Sequence, residues 1–184
     1  YEIYQCDWSS DVCSSDLIEL NFTDREVAPV MSKTTIDLHY GKLAHGYADR
    51  YNNNEGDKEF NYAGAFLHNT LFPQFRETRN SNKPNGPMLG FVDKHFGSYD
   101  ELQSQIEETA LSLQGSGWVY LADNGTIKTI KNHEVRNDIL LLIDMWEHSW
   151  IIDYGSDKKR YLKSYWKIIN WNVINTRWGK YIQR

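Results

Sequence analysis

The chain has 184 residues, of which 40% are hydrophobic and 14% aromatic, with 25 acidic against 20 basic residues. This length and apolar content are enough for one domain, or for two small domains that share a core. No apolar run approaches the roughly 20 residues that cross a bilayer, so we expect no contact with a membrane.

The first 17 residues differ in character from the rest of the chain. The stretch CDWSSDVCSSDL, residues 6–17, resembles the translation of a common sequencing adapter and lacks the pattern of a signal peptide. We therefore expect residues 1–17 to be non-native and the protein to be cytoplasmic. Both cysteines, Cys6 and Cys13, lie there, so no disulfide or cysteine metal site is expected. Four acidic residues lie there too, which leaves 21 acidic against 20 basic residues and no support for a nucleic-acid partner.

The segments that follow predict an antiparallel pair of helices. Ser32 can cap a first helix, and four apolar positions at helical spacing run from Ile36 to Tyr47. The polar stretch 52–59 interrupts this pattern, and a second helical segment extends over about 60–75. Two helices joined by a short polar loop are typical of a helical hairpin.

A region rich in Asn, Pro and Gly separates this hairpin from the rest of the chain. Residues 76–87 carry no apolar period and predict a linker. We place the domain boundary at 81–87, between an N-terminal helical hairpin domain over 18–80 and a C-terminal α/β domain over 88–184.

The C-terminal part mixes helical and strand patterns. Ser98, with Glu101 three residues later, predicts a capping box and a helix that ends near Leu113. The other expected elements are a β-hairpin over 115–130, a buried strand over 140–146 and a closing helix over 161–178. The predicted fold class is α+β, in which the helical hairpin precedes a small antiparallel sheet of about three strands flanked by helices.

Ionisable residues stand where this pattern predicts burial. Asp144 and His148 lie within the apolar stretch 140–154, where an unpartnered polar group costs on the order of 2–7 kcal/mol. His39 and His68 lie on the two predicted hairpin helices. Imidazole and carboxylate groups suit divalent iron, manganese or zinc, so a metal site between the domains is one interpretation. An ion pair or acid–base pair for Asp144 and His148, and ordinary histidines elsewhere, are the alternatives.

Several motifs resemble those of the iron/manganese superoxide dismutase family, from about Ile18 to Trp178. DMWEHSW and GSGWVYL are similar to the family's D-x-W-E-H-A-Y and G-S-G-W-x-W-L signatures. TIDLHYGKLAHGY, FNYAGAFLHNTLF, HFGSYDEL and YLKSYWKIINW are similar to its helices. The resemblance implies superoxide as substrate, a homodimer, and one iron or manganese ion per chain. The ligands that it implies are His39, His68, Asp144 and His148.

The resemblance also implies roles for residues around the metal. Tyr47 matches the gateway tyrosine near the open face of the metal, and Trp118 and Trp146 match tryptophans of the pocket wall. Glu147 matches a glutamate that reaches the partner subunit's ligand histidine. His133 takes a place from which some members bond the solvent ligand; a histidine on a surface loop is the alternative. The choice between iron and manganese stays open.

This sequence departs from the family pattern at several positions. The usual His-His before the gateway tyrosine is Leu43-Ala44, and the partner tyrosine that bonds the first of these histidines is replaced by Ile151. We expect an apolar contact to replace this polar relay and to slow proton delivery. Gly64 stands where one class has Gln, and Phe72 replaces a Trp. An inactive relative that serves as a structural or interaction module is therefore an alternative function. A metal-dependent hydrolase is less well supported, because no second carboxylate is placed to act as its base.

Overall fold

A computed structural model describes residues 16–183 of the chain. Of the segment expected to be non-native, only Asp16 and Leu17 are therefore described, and both cysteines lie outside. The described helices are α1 (Asp24–Val27), α2 (Lys33–Leu38), α3 (His45–Asn52), α4 (Lys58–Leu71), α5 (Gly86–Phe96), α6 (Tyr99–Ser112), α7 (Ile151–Tyr154), α8 (Lys158–Tyr165) and α9 (Trp171–Tyr181). None of them has both the length and the apolar content needed to cross a membrane.

Helix α2 begins where the sequence predicts, and α4 begins two residues before its predicted start. The Ser32 hydroxyl accepts a hydrogen bond from the Thr35 amide at the start of α2. The Asp57 carboxylate accepts one from the Phe60 amide at the start of α4. Such caps satisfy amide groups that have no partner within the helix. Helices α3 and α4 pack against each other through small residues that include Ala48.

A π-helical segment, His39–Ala44, joins α2 to α3 without a break. Its geometry is marked by the amide of His45, which donates to the carbonyl of Tyr40 five residues earlier. Eight residues of α-helix turn through about 800°, which would leave Tyr47 about 80° away from His39 around the axis. A π-bulge takes up one extra residue, so it removes most of this difference and brings both side chains to one face.

The C-terminal sheet is antiparallel and has the order β2-β1-β3. Its strands are β1 (Gly117–Ala122), β2 (Ile127–Lys131) and β3 (Ile139–Asp144). The turn between β1 and β2 is stabilised by Asn124, whose side chain accepts from the Thr126 amide, and by Gly125 at φ 83°. Helices α6 and α9 pack on the sheet, which buries β1 and β3 along their whole length. The predicted α+β fold with a three-stranded antiparallel sheet is confirmed.

The helix α5 was not predicted by the sequence analysis. It begins within the segment assigned to the linker, with Pro87 in its first turn, and it ends at Phe96, where Gly97 caps it at φ 79°. Met88, Phe91 and Val92 are buried at helical spacing. These are the usual signals of a short helix, and the surrounding Asn, Pro and Gly residues obscured them.

The prediction of one closing helix over 161–178 was wrong. The chain leaves α8 through a 3₁₀ turn, Trp166–Ile168, and Ile169 is extended before α9 begins. Ile169 pairs with Phe75, and the Arg76 amide donates to the Ile168 carbonyl. This pairing with a distant segment breaks the helix, and it also anchors the first residues of the predicted linker.

Strand β3 lies at one edge of the sheet, and side chains occupy the edge where a fourth strand would pair. The carbonyls of Leu140, Leu142 and Asp144 each accept a hydrogen bond from a side chain. The donors are Arg177 to Leu140, Gln74 and Tyr165 to Leu142, and Tyr161 to Asp144. The Gln74 oxygen also accepts the Leu142 amide. The strand edge is thereby closed, and the strand that ends in Asp144 is fixed to α8 and α9.

Candidate metal centre

Four side chains from distant parts of the chain meet at one point. His39 starts the π segment, His68 lies in α4, Asp144 ends β3, and His148 follows four residues later. One nitrogen or oxygen of each lies within 4.8 Å of those of the others. Asp144 Oδ2 lies 3.0 Å from His39 Nε2, 3.2 Å from His148 Nε2 and 3.9 Å from His68 Nε2. The structure thus brings together the four residues that the sequence analysis singled out.

The burial of this cluster fits a metal ion. His39, His68 and Asp144 are fully buried, and His148 is half-buried. Among the described residues, His68 Nε2 has no hydrogen-bond partner, and His39 Nε2 faces only the Asp144 carboxylate, at 3.0 Å and without good hydrogen-bond geometry. Buried nitrogens without partners are costly, and a cation between them would accept their lone pairs. Three imidazole nitrogens and one carboxylate oxygen suit divalent iron, manganese or zinc.

Neighbouring groups orient two of these side chains toward the cluster. The His68 Nδ1 atom lies 2.6 Å from the Gly64 carbonyl, so it carries the proton and leaves the Nε2 lone pair facing the other candidate ligands. The other oxygen of Asp144, Oδ1, accepts the Trp146 amide at 2.8 Å. Such contacts hold a ligand in place before the metal binds.

The protonation states also suit metal binding. Burial lowers the pKa of His39 and lowers the pKa of His68 well below its usual value. Burial alone would raise the pKa of the Asp144 carboxyl, but its contacts with His148 and His39 hold that pKa well below the usual range. Neutral imidazoles next to an ionised carboxylate are the forms that bind metals.

Comparisons with known proteins agree with this geometry. Residues 84–177 match the family model described as "Iron/manganese superoxide dismutases, C-terminal domain". The chain is 32% identical over 190 residues to "Superoxide dismutase [Mn/Fe]" of Porphyromonas gingivalis, across 89% of this chain and 98% of that protein. This chain belongs to the iron/manganese superoxide dismutase family. It is also 28% identical over 189 residues to "Superoxide dismutase [Fe]" of Bacteroides fragilis, across 88% and 98% of the two chains.

Tyr47, the match to the family's gateway tyrosine, lies against the cluster. Its ring is stacked on that of His68, with ring centres 5.5 Å apart, and lies edge-on to that of His133 at 4.7 Å. Gly64 makes room for it, because a Cβ atom at that position would lie 2.7 Å from Tyr47 Cγ. The glutamine that one class of the family carries here would displace the Tyr47 ring.

His133 is buried rather than placed on a surface loop. Its ring is stacked on Trp146, with ring centres 4.7 Å apart, and Nδ1 accepts a hydrogen bond from Trp118 Nε1 at 3.2 Å. Burial lowers the pKa of His133 to about 4, so the imidazole is neutral near pH 7 and its proton is on Nε2. That Nε2 is buried without a partner among the described residues.

The other predicted site residues take different positions. Trp118 is fully buried, with its ring 5.1 Å from that of His68, and Trp146 lies 5.9 Å from His148. Glu147 is exposed beside His148, so another chain could reach it.

Three nearby aromatic residues received no site role or only a passing one from the sequence. Phe72, noted only as a replacement for Trp, is fully buried, and its ring centre is 5.1 Å from that of His39. Phe60 lies 4.6 Å from His133. Tyr161 donates to the Asp144 carbonyl. Phe60 and Tyr161 stand at ordinary apolar helix positions, which give no signal of a site.

Proposed function

We propose that this protein is a superoxide dismutase that converts two superoxide anions and two protons to dioxygen and hydrogen peroxide. The observation that carries the proposal is the buried cluster of three imidazoles and one carboxylate within 4.8 Å. Membership of the family, and relatives named as iron or manganese/iron superoxide dismutases, support the reaction. The ligands that we propose are His39, His68, Asp144 and His148, which hold one iron or manganese ion per chain.

The proposed ligands contribute to the site in different ways. An iron or manganese ion bound here would supply the one-electron redox chemistry that the side chains lack. The Asp144 charge favours the more positive oxidation state of such an ion. His68 is held in the binding tautomer by Gly64, and Trp146 orients the Asp144 carboxylate through its amide.

The pocket residues that we propose are Tyr47, His133, Trp118 and Trp146. Burial and the Asp144 carboxylate raise the pKa of the Tyr47 hydroxyl, although Arg50 partly opposes them, so this group keeps its proton near neutral pH. The His133 Nε2 proton is a second buried donor beside Tyr47. Both groups can orient a small anion or its solvent and supply a proton. The rings of Trp118 and Trp146 line the site beside His68 and His148.

We further propose that the protein is a homodimer with Glu147 at its interface. Glu147 is exposed next to His148, and the neighbouring Ile151 and Ile152 are exposed apolar side chains. Exposed apolar groups close together are typical of protein interfaces. The division into domains at 81–87 stays a prediction.

A catalytically weak relative that serves as an interaction module is the second candidate. It is favoured by the apolar residues Leu43 and Ile151, which stand where the family pattern has a polar relay between subunits. In this case the metal would bind, but protons would arrive slowly.

Metal analysis and a dismutation assay test the proposal together. We expect purified protein to hold about one iron or manganese per chain, and to inhibit reduction of cytochrome c by a superoxide-generating oxidase. His68→Gln should lose metal and activity, whereas the matched change His95→Gln, at an exposed histidine of α5, should lose neither. Bound metal without activity would favour the second candidate. Protein that never retains iron or manganese would refute both.

A further inference from the structure

One side of the candidate metal centre is a wall of aromatic rings. His39, His68 and Asp144 are fully buried and His148 is half-buried, while Tyr47 and His133 have 8% and 6% of their surface exposed. Phe60 and Trp146, which contact His133, are half-buried. A small molecule that approaches along this wall passes the ring of Tyr47.

A positively charged side chain, that of Arg50, lies beside that ring. Arg50 follows Tyr47 by three residues in α3, and its Cζ atom lies 5.0 Å from the centre of the Tyr47 ring. Arg50 Nε donates to Asn61 Oδ1 at 3.0 Å. Asn61 is only 3% exposed, and its own amide donates to the Glu55 carbonyl at 3.0 Å. The guanidinium is therefore held next to Tyr47 instead of extending into solvent.

Among residues 16–183, no carboxylate forms an ion pair with Arg50. Within the described range, no carboxylate lies within 4.0 Å of its guanidinium nitrogens, and Nη1 and Nη2 have no acceptor. Gly46 provides the space for this conformation, because a Cβ atom there would lie 3.0 Å from Arg50 Nη1. An arginine fixed by one nitrogen, with its outer nitrogens unpaired, is suited to attract an anion.

We infer that Arg50 guides small monovalent anions past Tyr47 to the metal centre. The inference rests on the proposed function, in which the anion is superoxide. The part of the chain after residue 17 carries 21 acidic against 20 basic residues, so its overall charge does not attract an anionic substrate. A local positive charge at the entrance overcomes this by raising the anion concentration where it is needed.

Azide is a suitable probe, since it is a small monovalent anion whose binding to the loaded metal changes the visible absorbance. We would measure its affinity for metal-loaded wild-type protein and the variants Arg50→Gln, Arg50→Lys and Arg25→Gln, in low salt and in about 0.5 M salt. Arg25 is exposed in α1, so its change removes the same charge away from Tyr47. We expect Arg50→Gln to bind azide about two- to tenfold more weakly in low salt.

The salt dependence separates charge from packing. At about 0.5 M salt the Debye length falls to about 4 Å, so the gap between wild type and Arg50→Gln should close. Arg50→Lys should keep most of the affinity because it keeps the charge, and Arg25→Gln should match wild type. The association rate of superoxide in stopped-flow measurements should follow the same order.

Several results would overturn the inference. They are an azide affinity of wild type that does not depend on salt, equal affinities of wild type and Arg50→Gln, an Arg50→Lys variant as weak as Arg50→Gln, or no azide binding at all. The first of these results, the salt dependence of azide binding, is measured on wild-type protein, so it does not depend on whether a variant folds. If azide binding depends on Arg50 but wild type does not dismutate superoxide, the proposed function fails and the inference stands. If wild type dismutates superoxide and Arg50→Gln matches it in both assays, only the inference fails.

Discussion

Gly64 contributes to the site through the side chain that it lacks. It lies one turn before His68 in α4, where its carbonyl accepts the His68 Nδ1 proton and its Cα faces the Tyr47 ring. A single residue thus sets the tautomer of a proposed ligand and the position of the Tyr47 ring.

The change Gly64→Ala should therefore destabilise the protein by about 1–3 kcal/mol, because the new methyl group would overlap the Tyr47 ring. Urea unfolding of wild type and variant measures the difference. The matched change Gly90→Ala, in α5 where no atom lies within 4 Å of the added Cβ, should be neutral or slightly stabilising. Equal effects of the two changes would contradict the overlap.

His133 should make the stability of the metal-free protein depend on pH. Its pKa is about 4 in the fold, against about 6.5 in an unfolded chain, so between these values the unfolded chain binds more protons. The free energy of unfolding must then rise with pH over this window and fall on acidification. The contribution is fully present above about pH 6.5, and up to about 3 kcal/mol is lost by pH 4.

The variant His133→Gln, which does not titrate, isolates this contribution. We expect the stability of wild type minus that of the variant, measured by urea unfolding after metal removal, to shrink from pH 7 to pH 4.5. A difference that is constant across this range would show that His133 is not held neutral by the fold.

At the scale of elements, strand β3 depends on side chains that take the place of a neighbouring strand. Gln74 contributes most, because it is fully buried and its amide serves both the Leu142 amide and the Leu142 carbonyl. Gln74 also accepts a hydrogen bond from Arg177, whose pKa burial lowers to about 10. This network fixes the strand that ends in Asp144.

Replacement of Gln74 by Leu should cost about 2–5 kcal/mol, since it leaves the Leu142 amide without an acceptor and removes one of the two acceptors of the buried Arg177 Nη1. Thermal or urea unfolding would measure this loss. The matched change Gln105→Leu, at an exposed position of α6, should cost less than about 0.5 kcal/mol. A small effect at Gln74 would show that water can replace its amide.

At the scale of the whole molecule, the proposed dimer bears on the polar relay between subunits that this sequence has lost. Leu43 is half-buried, and Ile151 is 42% exposed beside the segment that carries Glu147 and His148. If these two residues meet across the interface, both sides of one contact are apolar. Such a pair leaves no unsatisfied polar group, so the dimer should be stable, but the pair cannot pass a proton.

The double variant Leu43→His with Ile151→Tyr should restore a polar contact and raise the turnover rate at high superoxide, with little change in dimer dissociation. Stopped-flow decay of superoxide and analytical ultracentrifugation measure the two quantities. Each single variant should be less stable than the double one, because it buries one polar group without its partner. Turnover equal to that of wild type would refute the relay.

Local patterns in the sequence were sufficient to predict the starts of α2 and α6 and the β1–β2 turn, because each depends on residues within a few positions. The Ser98 hydroxyl accepts the Glu101 amide as predicted, although the Glu101 carboxylate accepts Gln105 instead of completing a capping box. The break between α8 and α9 could not be predicted in this way. It depends on pairing between Phe75 and Ile169, which are far apart in the chain.

By itself, the sequence determined the family, the α+β class and the four ionisable residues of the candidate metal centre, since motifs such as DMWEHSW are contiguous. Only the tertiary structure decided that these four side chains meet, that a π segment brings His39 and Tyr47 to one face, and that Arg50 lies beside the Tyr47 ring. The physical reason is that a distance between side chains depends on packing across the whole fold, which no short stretch of residues encodes.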